Sequence, residues 1–330
     1  MLFYILRRFL YMIIILWVIS IVAFVIIQLP PGDYLTSYLM QLETRGAKID
    51  IEELTLLRKQ YGLDLPIHLR YFKWMWKMLH GDFGKSLEWN RPVSELIAER
   101  MPLTMIISLF TLIFTYIVAI PIGIYSATRQ YSIEDYTFTV IGFVGLATPN
   151  FLLALILMLL FYKWFGLSIG GLFSSQYVEA AWSVGKFVDM LKHLPIPIIV
   201  VGTAGTAWLI RVMRGCLLDE LRKQYVITAR AKGVAERTLL FKYPVRLALN
   251  PIISTIGWQL PAIISGGTIT AVVLSLPTMG PLLFRALMSQ DTYLAGSVIM
   301  FLGFLTVIGT FISDILLVWL DPRIRYEKGI

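Results

Sequence analysis

The stretch YVITARAKGVAERTLLFKY, residues 225–243, is basic, favours helix and is interrupted by a single glycine, Gly233. Gly233 is predicted to end a first short helix in the left-handed conformation, which glycine adopts at little cost. A second helix is predicted to begin at Glu236, because a negative charge suits a helix N-terminus. Long apolar segments lie on both sides. The fold must therefore place a polar helical pair between two apolar segments.

The composition of the whole chain is that of a membrane protein. Of its 330 residues 57% are hydrophobic and 15% are charged, and the mean hydropathy is +0.73. The net charge of +8 suits nucleic-acid binding, but equally suits a membrane protein that retains Lys and Arg on its cytoplasmic side. Cys216 is the single cysteine, so an internal disulfide is impossible, and the three histidines lack metal-ligand spacing.

Six apolar runs are long enough to cross a bilayer, which takes about 20 residues. They lie at residues 9–29, 103–127, 137–165, 194–213, 249–275 and 295–320. We therefore predict an all-α membrane protein with six transmembrane helices. Its predicted segments are an uncleaved N-terminal anchor (1–29), an external segment (30–102), a five-helix core (103–320) with a loop at 214–247, and a tail (321–330).

The distribution of Lys and Arg predicts the orientation, since cytoplasmic loops carry an excess of them. An N-terminus inside the cell places Arg7, Arg8 and Arg129 in the cytoplasm, with nine basic residues at 211–246 and three in the tail. The external segment is neutral, with ten basic and ten acidic residues. Both termini and the helical pair are therefore predicted to be cytoplasmic.

Proline and glycine interrupt several predicted spans, among them Pro121 and Gly123 in the second span and Pro149 in the third. Such breaks are tolerated where a helix lines a cavity or where neighbours satisfy the freed backbone groups. Gly and Pro are also common in membrane helices in general. The candidates for lining a translocation pathway are Pro149, Asn150, Gln259, Pro261, Gly266 and Gly267.

The sequence predicts neither an enzyme nor an ion-coupled carrier. GDFGKS, residues 81–86, resembles a phosphate loop, but it has two residues between its glycines where that motif needs four. An ion-coupled secondary transporter, the alternative from another class, needs ionisable groups inside the membrane. Asp314 is the one acid well inside the predicted spans. The chain is therefore expected to bind no cofactor or metal, and the energy for moving a solute is expected to come from elsewhere.

The helical pair has three interpretations at this point. A DNA-binding helix-turn-helix needs its own small core and a helix that is free to enter a groove, and two membrane tethers exclude this. Nucleic acid is therefore not an expected partner. The pair can dock into a groove on a soluble protein, or it can lie as a basic loop near anionic lipid headgroups. The residues alone leave these two interpretations open.

The sequence resembles a known family along nearly its whole length. QYVITARAKGVAERTLLFKY is similar to the cytoplasmic coupling loop in permease subunits of type-1 ABC importers, specifically the dipeptide, oligopeptide and nickel branch. The other matching stretches are RRFLYMIIILWVISIVAFVIIQLPPGD in the first span, LRKQYGLDLPIHLRYFKW and GDFGKSLEWNRPVSELIAERMPLT in the external segment, ATPNFLLALILMLLF in the third span and LDPRIRY at the C-terminal end. Together they are much more specific than any single motif.

The resemblance implies that the loop couples the permease to an ATPase. The residues that match the coupling motif are Tyr225, Thr228, Ala229, Ala231, Lys232, Gly233, Glu236 and Arg237. The broader ABC pattern has Glu-Ala-Ala six, five and four residues before the glycine, where this chain has Ile227, Thr228 and Ala229. Tyr243 and Pro244 also replace the usual His-Ala.

The resemblance further implies a set of partners. A second, homologous permease would enclose the pathway together with this chain. Two cytoplasmic ABC ATPases would bind ATP and magnesium, and an external solute-binding protein would deliver the substrate. The aromatic residues of the external segment suggest that it contacts this binding protein, and the alternative is a cap over helix ends. The aromatics concerned are Tyr71, Trp74, Trp76, Phe83 and Trp89.

The substrate class stays open between two alternatives. The branch transports peptides, nickel and, in many bacteria, oligosaccharides. Nickel is disfavoured because the predicted spans hold no histidine, and Cys216 lies just past one of them. A di- or oligopeptide is expected slightly ahead of an oligosaccharide.

Overall fold

The computed structural model describes residues 2–28, 65–166, 169–256, 259, 263 and 267–320, and most of these residues are α-helical. Strands do not occur in these ranges. The helices are α1 (Leu2–Gln28), α2 (Ile67–Leu79), α3 (Val93–Thr128), α4 (Ile133–Ala147), α5 (Asn150–Phe165), α6 (Val184–His193), α7 (Pro195–Leu221), α8 (Gln224–Ala231), α9 (Glu236–Lys242), α10 (Pro244–Ser254), α11 (Thr268–Val273), α12 (Met279–Met288) and α13 (Thr292–Leu320). A short 3₁₀ helix occupies Ser175–Tyr177.

Four of the described helices are long and apolar enough to cross a membrane, namely α1, α3, α7 and α13. They correspond to the first, second, fourth and sixth predicted spans. The number of such spans among the described residues rises to five if the bent pair α4 and α5 counts as one. The predicted span at 249–275 lies partly outside the described residues, and α10 and α11 overlap its two ends.

The predicted third span is not one continuous helix. α4 ends at Ala147 and α5 begins at Asn150, and the two helices meet at a bend of 102°. Thr148 is extended, as expected for a residue before proline, and Pro149 forms the N-cap of α5. The predicted interruption of this span at Pro149 is therefore confirmed, since the helix breaks directly before and after this proline.

The second span shows the opposite result. α3 runs without a break for 36 residues through Pro121 and Gly123, so the predicted interruption there was wrong. Gly123 serves close packing instead, since a Cβ atom on it would lie 2.6 Å from the Cβ of Met213 on α7. Glycine at this position allows α3 and α7 to approach each other.

The chain divides into two compact units, and the first comprises residues 1–104 and 278–307. Its core joins the start of α3 to α12 and the start of α13 through Val93, Leu96, Ile97, Met279, Leu282, Ala286, Leu294, Ala295 and Val298. Phe83 and Trp89 pack against this core, and Trp74 is buried beside α1. These three aromatic side chains therefore stabilise the unit. Of the aromatic residues considered for contact with a binding protein, Trp76 is exposed.

A buried carboxylate, that of Asp291, fixes residues 86–88 to the start of α13 in the same unit. Asp291 accepts hydrogen bonds from the Ser86 hydroxyl (2.6 Å) and from the backbone N–H groups of Leu87 (2.8 Å), Glu88 (3.3 Å) and Leu294 (3.2 Å). The side chain is fully buried. Burial raises the pKa of Asp291, against the effect of these four donors. GDFGKS is thus part of a structural junction.

The second unit comprises residues 105–277 and 308–330. Its core joins α3, α7 and α10 through Ala119, Ala127, Leu209, Met213, Leu217, Val245, Ala248 and Ile252. The Tyr116 hydroxyl bonds to Thr255 (2.7 Å) just after α10. α7 and α10 are therefore packed on each other directly before and after the helical pair α8–α9.

Candidate functional site

The turn between α8 and α9 has the conformation predicted for it. Gly233 has a φ of +77°, in the left-handed region. The Gly233 N–H bonds to the Arg230 carbonyl (3.0 Å), and the Val234 N–H bonds to the Ala229 carbonyl (3.3 Å). These two bonds are those of a Schellman motif, which satisfies carbonyl groups at the end of a helix. A Cβ at Gly233 would meet nothing within 4 Å, so the backbone conformation is the reason for glycine here.

An ion pair closes the turn from outside. The Arg230 guanidinium donates from Nε to Glu236 Oε1 at 2.5 Å and from Nη2 to Oε2 at 3.0 Å. α9 begins at Glu236, as predicted. The hydrogen bonds from Arg230 lower the pKa of Glu236, and Glu236 in turn raises the pKa of Arg230. Both side chains are more than half exposed, so solvent screens the pair and its main effect is on geometry.

The helical pair α8–α9 is anchored to the neighbouring helices at three points. The Tyr225 hydroxyl donates to Glu220 at the end of α7 (2.5 Å). Burial, and then this acidic partner, raise the pKa of Tyr225, so the phenol stays protonated and remains a donor. Val226 on α8 and Leu239 on α9 are fully buried. α9 also packs against α10, and the pair is therefore held from both ends.

The residues assigned to coupling form a mostly exposed surface at the turn. Six of them are exposed, namely Thr228, Ala231, Lys232, Gly233, Glu236 and Arg237. Tyr225 and Ala229 are half-buried. Ile227, which occupies the position of the acidic residue in the broader ABC pattern, is 49% exposed. We call these nine side chains the turn surface; it contains small, basic and apolar groups that a protein partner can contact.

A partly buried ion pair, in which the Arg214 side chain is 26% exposed, lies at the base of this region and was not predicted from the sequence. Arg214 on α7 binds Asp135 on α4 through two parallel hydrogen bonds of 2.9 and 2.8 Å. The Tyr131 N–H also donates to Asp135 (3.0 Å), and Asp135 is 2% exposed. The loop before α4 is thereby tied to the last two turns of α7. The 79 positions between the two residues gave no sequence signal for the contact.

The structure places the pathway candidates on separate elements. Pro149 and Asn150 lie at the bend between α4 and α5. Gly267 is the N-cap of α11, which packs against α5. Gln259 is buried, and its N–H bonds to the Thr255 carbonyl (2.9 Å). Pro261 and Gly266 lie outside the described residues.

Metal chemistry has no visible site in the described ranges, where no group of three or more His, Cys, Asp or Glu side chains could hold an ion. Cys216 is a free thiol.

The class of protein follows from these features. Several apolar helices can cross a bilayer, and a polar helical pair is fixed between two helices that pack on each other. This combination defines a multi-pass membrane protein in which two packed helices hold a polar helical pair in a fixed position.

Comparison with known proteins identifies the family. Residues 119–326 match the family described as binding-protein-dependent transport system inner membrane component, and residues 1–109 match the N-terminal region of such membrane components. The chain belongs to this family and is a permease subunit of an ABC importer in the cell membrane. This confirms the resemblance found in the sequence and removes support for the DNA-binding and ion-coupled alternatives.

Relatives match over most of their length. The chain is 37% identical over 325 residues to the oligopeptide transport system permease protein AppB of Bacillus subtilis (strain 168), covering 98% of this chain and 99% of the relative. It is 30% identical over 360 aligned residues to the inner membrane ABC transporter permease protein YejB of Escherichia coli O157:H7, covering 98% and 99%. It is 31% identical over 291 residues to the peptidoglycan transport system permease protein YejB of Agrobacterium fabrum, covering 86% and 79%.

Proposed function

We propose that this permease imports a di- or oligopeptide and that the turn surface docks on a cytoplasmic ATPase. The observation that carries the docking proposal is the Schellman turn at Gly233, closed by Arg230 and Glu236 and presented in an exposed position. A turn with a fixed backbone suits docking, because less conformational freedom is lost on binding.

Movement of the ATPase would pass from this turn into the membrane helices. Val226 and Leu239 anchor α8 and α9, and the Tyr225–Glu220 hydrogen bond ties α8 to α7. α7 and α10 share one apolar core. Because packed helices move as nearly rigid bodies, displacement of the pair would shift α7 and α10 together.

The complete importer would contain several partner proteins, as importers of this family generally do. We propose a second homologous permease, two ABC ATPases that bind ATP and magnesium, and an external solute-binding protein. The cytoplasmic position of the pair requires both termini to be inside the cell, which the distribution of Lys and Arg supports. The nucleotide chemistry would then take place entirely on the partner subunits.

The translocation pathway is proposed to run past the bend between α4 and α5. Pro149 and Asn150 lie at this bend, and α11, which follows Gly267, packs against α5. Broken helices expose backbone groups that can bind a polar solute. Gln259, Pro261 and Gly266 precede α11 in the chain and complete the proposed lining.

A peptide is the proposed substrate because the relative with 37% identity is named an oligopeptide permease. Oligosaccharide import by the same machinery is the second candidate, since the aromatic content of 13% suits contact with sugars and with peptide side chains alike. Purification from native membranes in mild detergent, with mass identification of co-purifying proteins, tests the assembly. We expect a second permease and one or two ATPases; a stable homo-oligomer without them would overturn the proposal.

The substrate is tested on the same complex in nanodiscs with its co-encoded binding protein. Mixed tripeptides should stimulate ATP hydrolysis several-fold, and a mixture of short oligosaccharides should not. Stimulation by the sugars alone would replace the peptide proposal with its alternative and leave the importer assignment intact.

A further inference from the structure

Helix α2 packs on α1 with one face only. The Tyr71 hydroxyl hydrogen-bonds to Ser20 on α1 (2.8 Å), and the rings of Trp74 and Phe24 are 5.7 Å apart. Trp74 is 6% exposed and also lies against Gly296, where an added Cβ would be 3.0 Å from the indole. This face is therefore fixed inside the first unit.

The opposite face of α2 carries four large apolar side chains that the unit does not cover. Leu69, Phe72, Trp76 and Leu79 are 47%, 66%, 67% and 74% exposed. Their spacing of three, four and three residues places them in one row along the helix. We call this row the α2 stripe. Such a contiguous apolar row on a helix surface marks an interaction site.

The charges carried by α2 itself are of one sign. Arg70, Lys73 and Lys77 lie along one flank of the helix, which contains no acidic residue. Lys77 pairs with Asp82 just beyond the helix (3.2 Å), while Lys73 is exposed. A basic flank beside Trp, Phe and Leu is the composition of helices that lie in a membrane interface next to anionic phosphates.

The position of α2 on α1 selects lipid as the occupant. Phe24 lies four residues before the end of α1, about 6 Å along the helix axis at 1.5 Å per residue. α1 is membrane-spanning, and Val18, Val22, Val25 and Ile26 around this contact are about half exposed. α2 therefore lies against a membrane helix near the level where that helix leaves the bilayer, and its exposed apolar stripe is at the depth of the lipid interface.

We propose that α2 is an interfacial helix whose stripe inserts among phospholipid chains, with Lys73 contacting anionic lipid phosphates. The insertion would anchor α2, and with it the segment proposed to be external, at the membrane surface. The proposed orientation of the chain would place α2 in the outer leaflet. The proposed insertion does not depend on that orientation.

Site-directed spin labelling of the intact importer in nanodiscs tests this proposal. On a Cys216→Ser background, single labels are placed at Phe72→Cys and Trp76→Cys on the stripe. Val22→Cys is the membrane-embedded control and Glu95→Cys, whose side chain is 55% exposed beside Arg91, is the aqueous control. Power saturation compares collisions with oxygen, which partitions into lipid, against collisions with a water-soluble nickel chelate.

Labels on the stripe should resemble Val22, with oxygen collisions several-fold more effective than nickel collisions. Phe72→Cys should also become less accessible to nickel when phosphatidylglycerol replaces part of the phosphatidylcholine. Nickel accessibility equal to that of Glu95 would show a water-facing stripe. Immobilised labels that neither reagent reaches would show a protein occupant, such as the second permease or the binding protein. Either result overturns the proposal, and peptide-stimulated ATP hydrolysis in the same nanodiscs reports the proposed function separately.

Discussion

Arg230 and Glu236 meet across the turn at Gly233, with two hydrogen bonds of 2.5 and 3.0 Å between guanidinium and carboxylate. Arg230 is in the last turn of α8, and Glu236 is the first residue of α9. The ion pair therefore sets the angle between the two helices. Each prediction about coupling below depends on keeping that angle.

Gly233→Leu should weaken ATPase binding, because a branched residue in the left-handed conformation costs about 1–2 kcal/mol. The turn would then spend much of its time in another conformation. We expect several-fold less ATPase to co-purify and a similar loss of substrate-stimulated hydrolysis. Gly166→Leu is the matched control, since Gly166 also has a positive φ (+65°) and open space around it. Equal effects of the two variants would count against a special role for Gly233.

Glu236→Arg should reduce coupling by placing two cations at the turn. The double variant Arg230→Glu/Glu236→Arg should restore most of it, because the opposite charges again face each other. The measurement is the ATP hydrolysis rate of the assembled importer with and without substrate. If the double variant is coupled as weakly as the single variant, the partner contacts the individual charges and the ion pair matters less than proposed.

The same pair predicts a pH dependence with a defined sign. Arg230 lowers the pKa of Glu236, so the contribution of the ion pair is present above the ordinary pKa of a glutamate. It is lost as the pH falls through the lowered value. ATPase co-purification should therefore be constant around neutral pH and decline only in acid, and Glu236→Gln should remove this component of the decline. An unchanged acid profile in Glu236→Gln would contradict the assignment.

Asp135→Ala should destabilise the permease by about 1–3 kcal/mol, because it leaves the partly exposed Arg214 guanidinium without its hydrogen-bond partner. Asp135→Leu/Arg214→Met should recover much of the lost stability, since an apolar pair avoids an unpaired charge. Thermal unfolding in detergent measures both. A double variant that is as stable as the wild type but has weak substrate-stimulated ATP hydrolysis would show that the ion pair positions α7. Normal stimulation in that variant would limit the role of the ion pair to stability.

Asp291→Asn should change how stability depends on pH. Burial raises the pKa of Asp291, so the stabilising contribution of this acid is fully present below the ordinary pKa of an aspartate. It declines as the pH rises through the raised value. The melting temperature of the wild type relative to Asp291→Asn should therefore fall with increasing pH. A difference that grows with pH would show that the four hydrogen-bond donors outweigh burial.

The sequence predicts local features of this protein better than contacts between distant residues. The turn at Gly233 and the start of α9 at Glu236 depend on glycine and charge preferences that act within a few residues. The break before Asn150 was predicted from Pro149, but the break predicted at Pro121 does not occur, because packing decides whether a proline ends a membrane helix. The Ser86–Asp291 hydrogen bond joins residues 205 positions apart, beyond the reach of periodicity.

The site shows the same division. The resemblance to the coupling loop identified the turn surface, but the Tyr225–Glu220 and Arg230–Glu236 contacts were not predicted. Both cross a helix end, where the i to i+4 spacing that predicts side-chain pairs within a helix no longer applies. The α2 stripe was missed although α2 is amphipathic, because residues 30–102 were treated as one external segment and their exposed apolar face becomes visible only in the structure.

Photo-crosslinking from Lys232 tests the central claim most directly. A photoreactive amino acid replaces Lys232, which is exposed beside Gly233, and native membranes are irradiated with and without ATP. Val184, on α6 and 83% exposed, is the control position. We predict a covalent product between this chain and an ABC ATPase from Lys232 and none from Val184. A Lys232 position that labels only lipid or nothing, in membranes where the importer is active, would contradict the proposed coupling.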